Sequence, residues 1–137
     1  QRIPVQVETY ALDDAEEETY TAQPEATVTE QSPAILALLD GAHQYSVQGQ
    51  YSMAAAKLER AVRISPRNPQ VWSELAKIRM AQKQYEMAIS LAKKSNLLAV
   101  GNRALQRSNW LLIADGFSFL GQAEAANKAK NKAASLL

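Results

Sequence analysis

The sequence has 137 residues, of which 47% are hydrophobic, and it contains no cysteine. This length is sufficient for one domain with a hydrophobic core, and the lack of cysteine excludes a disulfide framework, a thiol nucleophile and a thiolate metal site. The formal net charge of +1 conceals two parts of opposite charge. Residues 1–33 contain eight acidic residues and one basic residue, a net charge of −7. Residues 34–137 contain fourteen basic and six acidic residues, a net charge of +8.

The acidic part does not have the pattern of a folded domain. Residues 1–33 contain three prolines and few large aliphatic residues, and no period of 2 or 3.6 residues is sustained. Such a segment cannot bury enough apolar surface to offset the entropy of ordering it. We therefore predict a disordered acidic tether over residues 1–33 and a folded domain over residues 34–137.

Six helices are predicted in the folded part. Ser32 and Pro33 form a helix-start signal, and apolar residues then recur with a period of 3.6 residues. A couplet of two such helices occurs three times, at about residues 35–68, 69–102 and 107–137. The second helices of the first two couplets read YSMAAAKLERAVRI from Tyr51 and YEMAISLAKKSNLL from Tyr85. The pattern predicts an all-α fold of three helix hairpins.

The couplets also repeat in sequence. GQYSMAAAKLERA at 49–61 and KQYEMAISLAKKS at 83–95 share Gln, Tyr, Met and Ala at a constant offset of 34 residues. This pattern resembles the tetratricopeptide repeat, whose unit is a helix hairpin of 34 residues. The resemblance implies a short right-handed α-solenoid of three stacked hairpins, with small residues where helices approach closely. The sequence departs from the family pattern at four positions, with Gly41 in place of Leu, Leu58 in place of an aromatic residue, Arg79 in place of Tyr and Val100 in place of Pro.

The spacing of the two tryptophans departs from the 34-residue unit. Trp72 and Trp110 are 38 residues apart, and the four extra residues correspond to about one helical turn. We expect either a longer fifth helix or a wider loop at Gly101 and Asn102. Both tryptophans are predicted to be buried between successive hairpins.

The residue types offer little support for catalysis. His43 is the single histidine, and no nucleophile elbow or second base accompanies it. The glycines form no phosphate-binding loop, and the acidic run at 13–18 lacks the ligand spacing and turn glycine of an EF-hand. We predict that the protein is not an enzyme and uses no cofactor or metal.

Basic residues in the folded part raise the possibility of a nucleic-acid partner. Lys128, Lys130 and Lys132 do not share one helix face, however, because two residues rotate a helix by about 200°. No aromatic residue lies among them to stack on bases. We assign these lysines to solvent and predict no nucleic-acid partner.

The tetratricopeptide resemblance implies a protein-binding groove. In this family the first helix of each hairpin lines a concave surface that holds a protein partner. The partner-binding residues that the resemblance implies here are Leu39, His43, Ser73, Lys77, Met80, Leu111, Asp115 and Phe119. Met80, Leu111 and Phe119 are the expected apolar anchors.

The whole layout resembles a family of small outer-membrane lipoproteins that activate a bifunctional peptidoglycan synthase, a class A penicillin-binding protein. The shared features are an acidic tether with prolines and a three-hairpin repeat domain behind it. The resemblance implies a non-catalytic periplasmic protein, held at the outer membrane by a lipid anchor upstream of these residues. We also predict that the protein is a monomer. The alternative is a general repeat scaffold for the assembly of pili or outer-membrane complexes.

Overall fold

The structure, a computed structural model, describes residues 32–137. These residues form six helices and no strand, which confirms the predicted all-α class. The predicted acidic tether lies outside the described residues, apart from its last two positions. The helices are α1 (Pro33–Val47), α2 (Tyr51–Ile64), α3 (Pro69–Ala81), α4 (Tyr85–Leu98), α5 (Arg103–Phe119) and α6 (Ala123–Ala134).

The first helix of each hairpin begins at a capping side chain. The side chains of Ser32, Asn68 and Asn102 accept hydrogen bonds from backbone N–H groups in the first turns of α1, α3 and α5, at 3.3, 2.9 and 3.0 Å. Pro33 and Pro69 occupy first-turn positions, where no intrahelical N–H donor is needed. These starts therefore follow from local sequence chemistry.

One turn type closes all three hairpins. Gly49, Lys83 and Gly121 adopt positive φ angles of 77°, 65° and 77°. The N–H of the residue that follows each of them donates to a carbonyl five residues earlier, at 2.9 Å in each hairpin. This is the Schellman arrangement, which reverses the chain directly after a helix. The two helices of each hairpin consequently run antiparallel.

Contacts between hairpins distinguish an inner and an outer row of helices. Helix α3 contacts both α1 and α5, whereas α2, α4 and α6 make no contacts of similar extent with one another in the described chain. The stack is therefore curved, with α1, α3 and α5 closer together. We call the exposed surface of α1, α3 and α5 the inner face.

Small residues allow the helices to approach closely. Buried alanines occur at equivalent positions of all three hairpins, as the repeat pattern predicted. A Cβ atom added at Gly116 of α5 would lie 2.7 Å from Cγ1 of Ile89 on α4, which is too close for a side chain. The alanines are Ala42, Ala54, Ala76, Ala88, Ala114 and Ala126, none more than 4% exposed.

The four extra residues of the last repeat lie in a helix. Helix α5 has 17 residues and α3 has 13, while the linkers 65–68 and 99–102 are equal in length. Trp110 is therefore preceded by one more helical turn than Trp72. This finding confirms the longer fifth helix.

The two tryptophans differ in burial. Trp72 is 4% exposed, and its indole N–H donates to the carbonyl of Pro66 at 2.8 Å. Trp110 is only half-buried, so the prediction that both rings are buried is wrong for this residue. The reason is the position in the stack: α3 has helices of two other hairpins packed against it, whereas α5 has helices of one.

Candidate protein-binding groove

The inner face brings together seven of the eight residues that the sequence predicted as partner contacts. Leu39 and Met80 are half-buried, and the other five are exposed. They come from all three inner helices, with α3 in the centre. The exposed residues are His43, Lys77, Leu111, Asp115 and Phe119.

Ser73 is the exception, and its assignment to the groove surface is corrected. The side chain is fully buried between α3 and α5, where its hydroxyl donates to Oδ1 of Asn109 at 2.8 Å. A partner protein could not touch it without separating these helices. Ser73 therefore belongs to the interior.

Asn109 is the centre of a buried polar network that the sequence reasoning missed. Its amide donates to Oγ of Ser95 at 2.8 Å and to Oδ1 of Asn96 at 2.9 Å. The Ser95 hydroxyl in turn donates to the carbonyl of Pro69 at 2.8 Å. The network joins α3, α4 and α5 under the groove. Every polar group of the Asn109 side chain has a partner in it, and buried hydrogen bonds of this kind favour one register of the helices. The sequence does contain a signal for the interior position of Asn109. It lies four residues before the apolar Ile113, and residues four apart lie on the same side of a helix.

An aromatic pair forms one end of the groove. Phe119, the last residue of α5, stacks on Tyr85, the first residue of α4, with ring centroids 4.7 Å apart and planes inclined by 8°. Phe119 is nevertheless 64% exposed. The stack holds a large apolar surface in one orientation while leaving most of it open to solvent.

Leu111 and Met80 contribute differently to the apolar part of the inner face. Leu111 is 39% exposed on α5. Met80 is half-buried, and its Cε atom lies 3.4 Å from the position of a Cβ at Gly116. Met80 therefore fills the space between α3 and α5 as well as reaching the surface.

Polar groups run along the exposed side of α3. Glu74 accepts hydrogen bonds from Lys77 at 3.2 Å and from Gln70 at 2.8 Å. The Lys77 side chain is 48% exposed, and exposed ion pairs contribute little to stability. These groups can exchange their partners for those of a bound protein at small cost.

Arg79 is engaged within the fold, although it replaces the tyrosine of the repeat pattern. Its guanidinium group contacts Glu59 at 2.5 Å and Gln82 at 2.9 Å, and its side chain is only 13% exposed. The pair joins α2 to α3. Arg79 is therefore not available as a partner contact.

Lysine–aromatic pairs join the two helices of the second and third hairpins, with the lysine on α4 or α6 and the ring on α3 or α5. The Lys94 ammonium lies 5.6 Å from the ring centroid of Trp72, and the Lys132 ammonium lies 5.2 Å from that of Trp110. Both pairs have a spacing of 22 residues, so the structure repeats a cation–π contact that the sequence reasoning missed. Lys132, predicted to face only solvent, is exposed but also covers an aromatic ring.

Two other kinds of site do not occur within residues 32–137. None of the six helices is both long enough and apolar enough to span a bilayer. His, Asp and Glu side chains form no group of three that could hold a metal ion.

Comparisons with known proteins agree with this geometry. Residues 48–107 match a family model described as tetratricopeptide repeat. None of the curated proteins matches the sequence. Among solved structures, the chain is similar to the globular C-terminal domain of P. aeruginosa LpoP, with 40% identity and a TM-score of 0.73. That likeness covers 74% of this chain and 96% of the LpoP domain.

Three stacked helix hairpins, the 34-residue repeat of the first two and both likenesses define the class of protein: the chain belongs to the tetratricopeptide repeat family. Within that class it has an LpoP-like repeat domain. Both points confirm the resemblances inferred from the sequence. Such domains act as modules of protein interaction.

Proposed function

We propose that this chain is the partner-binding part of a periplasmic lipoprotein that stimulates a class A penicillin-binding protein. The observation that carries the proposal is the 40% identity to the LpoP domain over 96% of its length. The acidic, proline-containing sequence ahead of the repeats is consistent with it, because the synthase-activating lipoproteins share this layout. In this proposal the domain acts as a monomer without chemistry of its own.

The inner face is the proposed contact surface for the synthase. Binding energy at interfaces concentrates in a few residues that become fully desolvated, and aromatic side chains are prominent among them. Phe119 meets this description because stacking on Tyr85 already orients its ring, so that little side-chain entropy is lost on binding. Leu111 adds a second exposed apolar group on the same helix.

Charges around these anchors would set the orientation of the partner. Lys77 and Asp115 have opposite charges and are both exposed on neighbouring inner helices, and His43 is exposed on α1. Polar groups at the edge of an interface discriminate between partners more than they add affinity. The partner segment is therefore expected to carry both an acidic and a basic group.

Residues 1–33 would link this domain to a lipid anchor at the outer membrane. A chain of 33 residues spans at most about 110 to 120 Å when fully extended. A domain on such a link could reach a synthase anchored in another membrane. Residues 34–137 would then be the part that meets the synthase.

Calorimetric titration of the domain with the periplasmic region of a class A penicillin-binding protein tests the proposal. The groove variant carries Leu111→Ala and Phe119→Ala, and it is expected to bind about thirtyfold more weakly, which corresponds to about 2 kcal/mol. The control carries Met87→Ala and Leu97→Ala on α4. These two side chains are 41% and 75% exposed, which is close to the 39% and 64% of Leu111 and Phe119. The control should bind as the wild type does. Absence of wild-type binding would contradict the proposed function.

A further inference from the structure

Basic side chains are concentrated at one end of the helical stack. Because the hairpins are antiparallel, the starts of α1, α3 and α5 lie beside the ends of α2, α4 and α6. Hydrogen bonds from Ser95 to Pro69 and from Arg103 to the carbonyl of Leu137 join these two sets of termini. We call this half of the stack, with linkers 65–68 and 99–102, the basic end. Its basic residues are Arg60, Arg63, Arg67, Lys93, Lys94, Arg103, Arg107, Lys130 and Lys132.

Almost the whole net charge of the domain lies at this end. It has nine basic and two acidic residues, a net charge of +7, whereas the opposite half has five basic and four acidic residues. The two acidic residues, Glu59 and Glu74, are already paired with Arg79 and Lys77 of the opposite half. Seven of the nine basic residues are exposed, and Lys94 and Arg107 are half-buried. Such a surface attracts an anionic segment.

A segment of opposite charge is attached at this same end. Residues 1–31 contain eight acidic residues and one basic residue, a net charge of −7. Five of the acidic residues fall within 13–18, in the sequence DDAEEE. The chain enters the described domain at Ser32, the N-cap of α1, and this cap is part of the basic end. The charges of the two regions are therefore nearly equal and opposite.

We propose that the acidic residues at 13–18 dock on the basic end of their own chain. Ser32 lies fourteen positions after Glu18, and a chain of fourteen such steps spans at most about 46 to 50 Å. A domain of about 100 residues has a radius of gyration of about 13 Å, so every basic residue of this end is within reach. The covalent link also gives the acids a high effective concentration at the domain.

The contact is electrostatic, so salt controls it. Single exposed ion pairs are weak, and docking depends on the number of charges that face one another. The Debye length falls from about 10 Å at 0.1 M salt to about 3 Å at 1 M. Docking would shorten the stretch of chain that extends away from the domain. Docking of residues 13–18 on the basic end does not depend on which protein the inner face binds.

Paramagnetic NMR on residues 1–137 tests the docking. The sequence has no cysteine, so Ala15→Cys provides a single attachment site for a nitroxide label. Amides of the basic end, such as those of Arg63, Lys93 and Lys130, are expected to lose signal at low salt and to regain it at 1 M salt. A labelled variant with Asn or Gln at all five acidic positions of 13–18 measures the effect of covalent attachment alone. In this variant the amides of the basic end should lose less signal. Equal loss in the charged and neutral tails would overturn the proposal.

Matched variants of the domain test the docking surface. Arg60→Gln, Arg63→Gln and Lys130→Gln together should restore the signals, because they remove three charges from the basic end. Lys57→Gln, Lys83→Gln and Lys128→Gln remove three charges from the opposite half and should leave the loss unchanged. Equal effects of the two sets would overturn the proposal. Binding of the basic end to phosphatidylglycerol vesicles, without any paramagnetic loss from the tail, would also overturn it and assign the surface to anionic lipid.

Discussion

Individual residues show that burial in this fold depends on the neighbouring hairpins. Trp72 and Trp110 occupy equivalent repeat positions and both lie next to a lysine, yet only Trp72 is fully buried. Helix α3 is enclosed by other hairpins on two sides and α5 on one. The same residue type therefore contributes differently to stability in the two repeats.

Alanine substitutions should reveal this difference between the tryptophans. Trp72→Ala removes a fully buried ring and is expected to lower the free energy of unfolding by about 3 to 5 kcal/mol. Trp110→Ala should cost roughly 1 to 2 kcal/mol, because part of the ring is already hydrated. Urea unfolding measures both values. Since the sequence has two tryptophans, each variant keeps one, and the emission of Trp72 should be the more blue-shifted. Equal costs and equal emission would contradict this assignment of burial.

Substitution of Asn109 tests whether the buried hydrogen-bond network stabilises the fold. Asn109→Ala leaves the hydroxyl of Ser73 without its acceptor in the interior, and an unsatisfied buried group costs about 1 to 3 kcal/mol. The control is Asn127→Ala on the exposed side of α6, which should change the free energy of unfolding very little. Urea unfolding of the two variants provides the measurement. A negligible effect of Asn109→Ala would show that the network does not stabilise the stack.

The elements follow closely from the sequence, because their signals are local. Helices α2 and α4 have the bounds that the 34-residue repeat predicted, and capping residues mark the starts of α1, α3 and α5. The Schellman turns form the third local signal, although at one of the three turns a lysine replaces glycine. These features require only neighbouring residues in the chain.

Lys83→Gly should stabilise the second hairpin. A left-handed conformation is strained for residues other than glycine, and the gain should outweigh the backbone entropy of glycine by roughly 0.5 to 1 kcal/mol. The reciprocal control is Gly49→Ala at the equivalent turn, where an added Cβ meets no other atom, so that only conformational strain acts. It should lower stability by roughly 1 kcal/mol. Thermal unfolding of both variants measures the effects, and a lower midpoint for Lys83→Gly would contradict the argument.

Side-chain contacts between different helices could not be predicted from the sequence. Ser73 was placed in the groove by its repeat position, but an acceptor 36 residues away, Asn109, holds it in the interior. The stacking of Phe119 on Tyr85 likewise joins residues of different hairpins. Seven of the eight predicted contacts do lie on the inner face, because helix periodicity determines which side of a helix is exposed. Their role in binding stays a prediction.

The whole molecule is a curved stack with two surfaces of different character. The inner face carries a mixture of apolar groups and charges of both signs, whereas the basic end carries nine basic residues. On the inner face, stacking on Tyr85 already orients the exposed ring of Phe119, and a side chain oriented in advance loses little entropy when it is bound. The basic end is better suited to contacts that depend on charge and salt.

The rate of glycan polymerisation by a class A penicillin-binding protein is the most direct measurement of the central claim. Wild-type protein is expected to raise this rate, and the Leu111→Ala and Phe119→Ala double variant should lose most of the stimulation at the same concentration. The Met87→Ala and Leu97→Ala control should stimulate fully, with helicity and unfolding midpoint near wild type in both variants. Full stimulation by the groove variant, combined with loss in a Lys128, Lys130 and Lys132 triple glutamine variant, would contradict the assignment of the inner face as the binding surface.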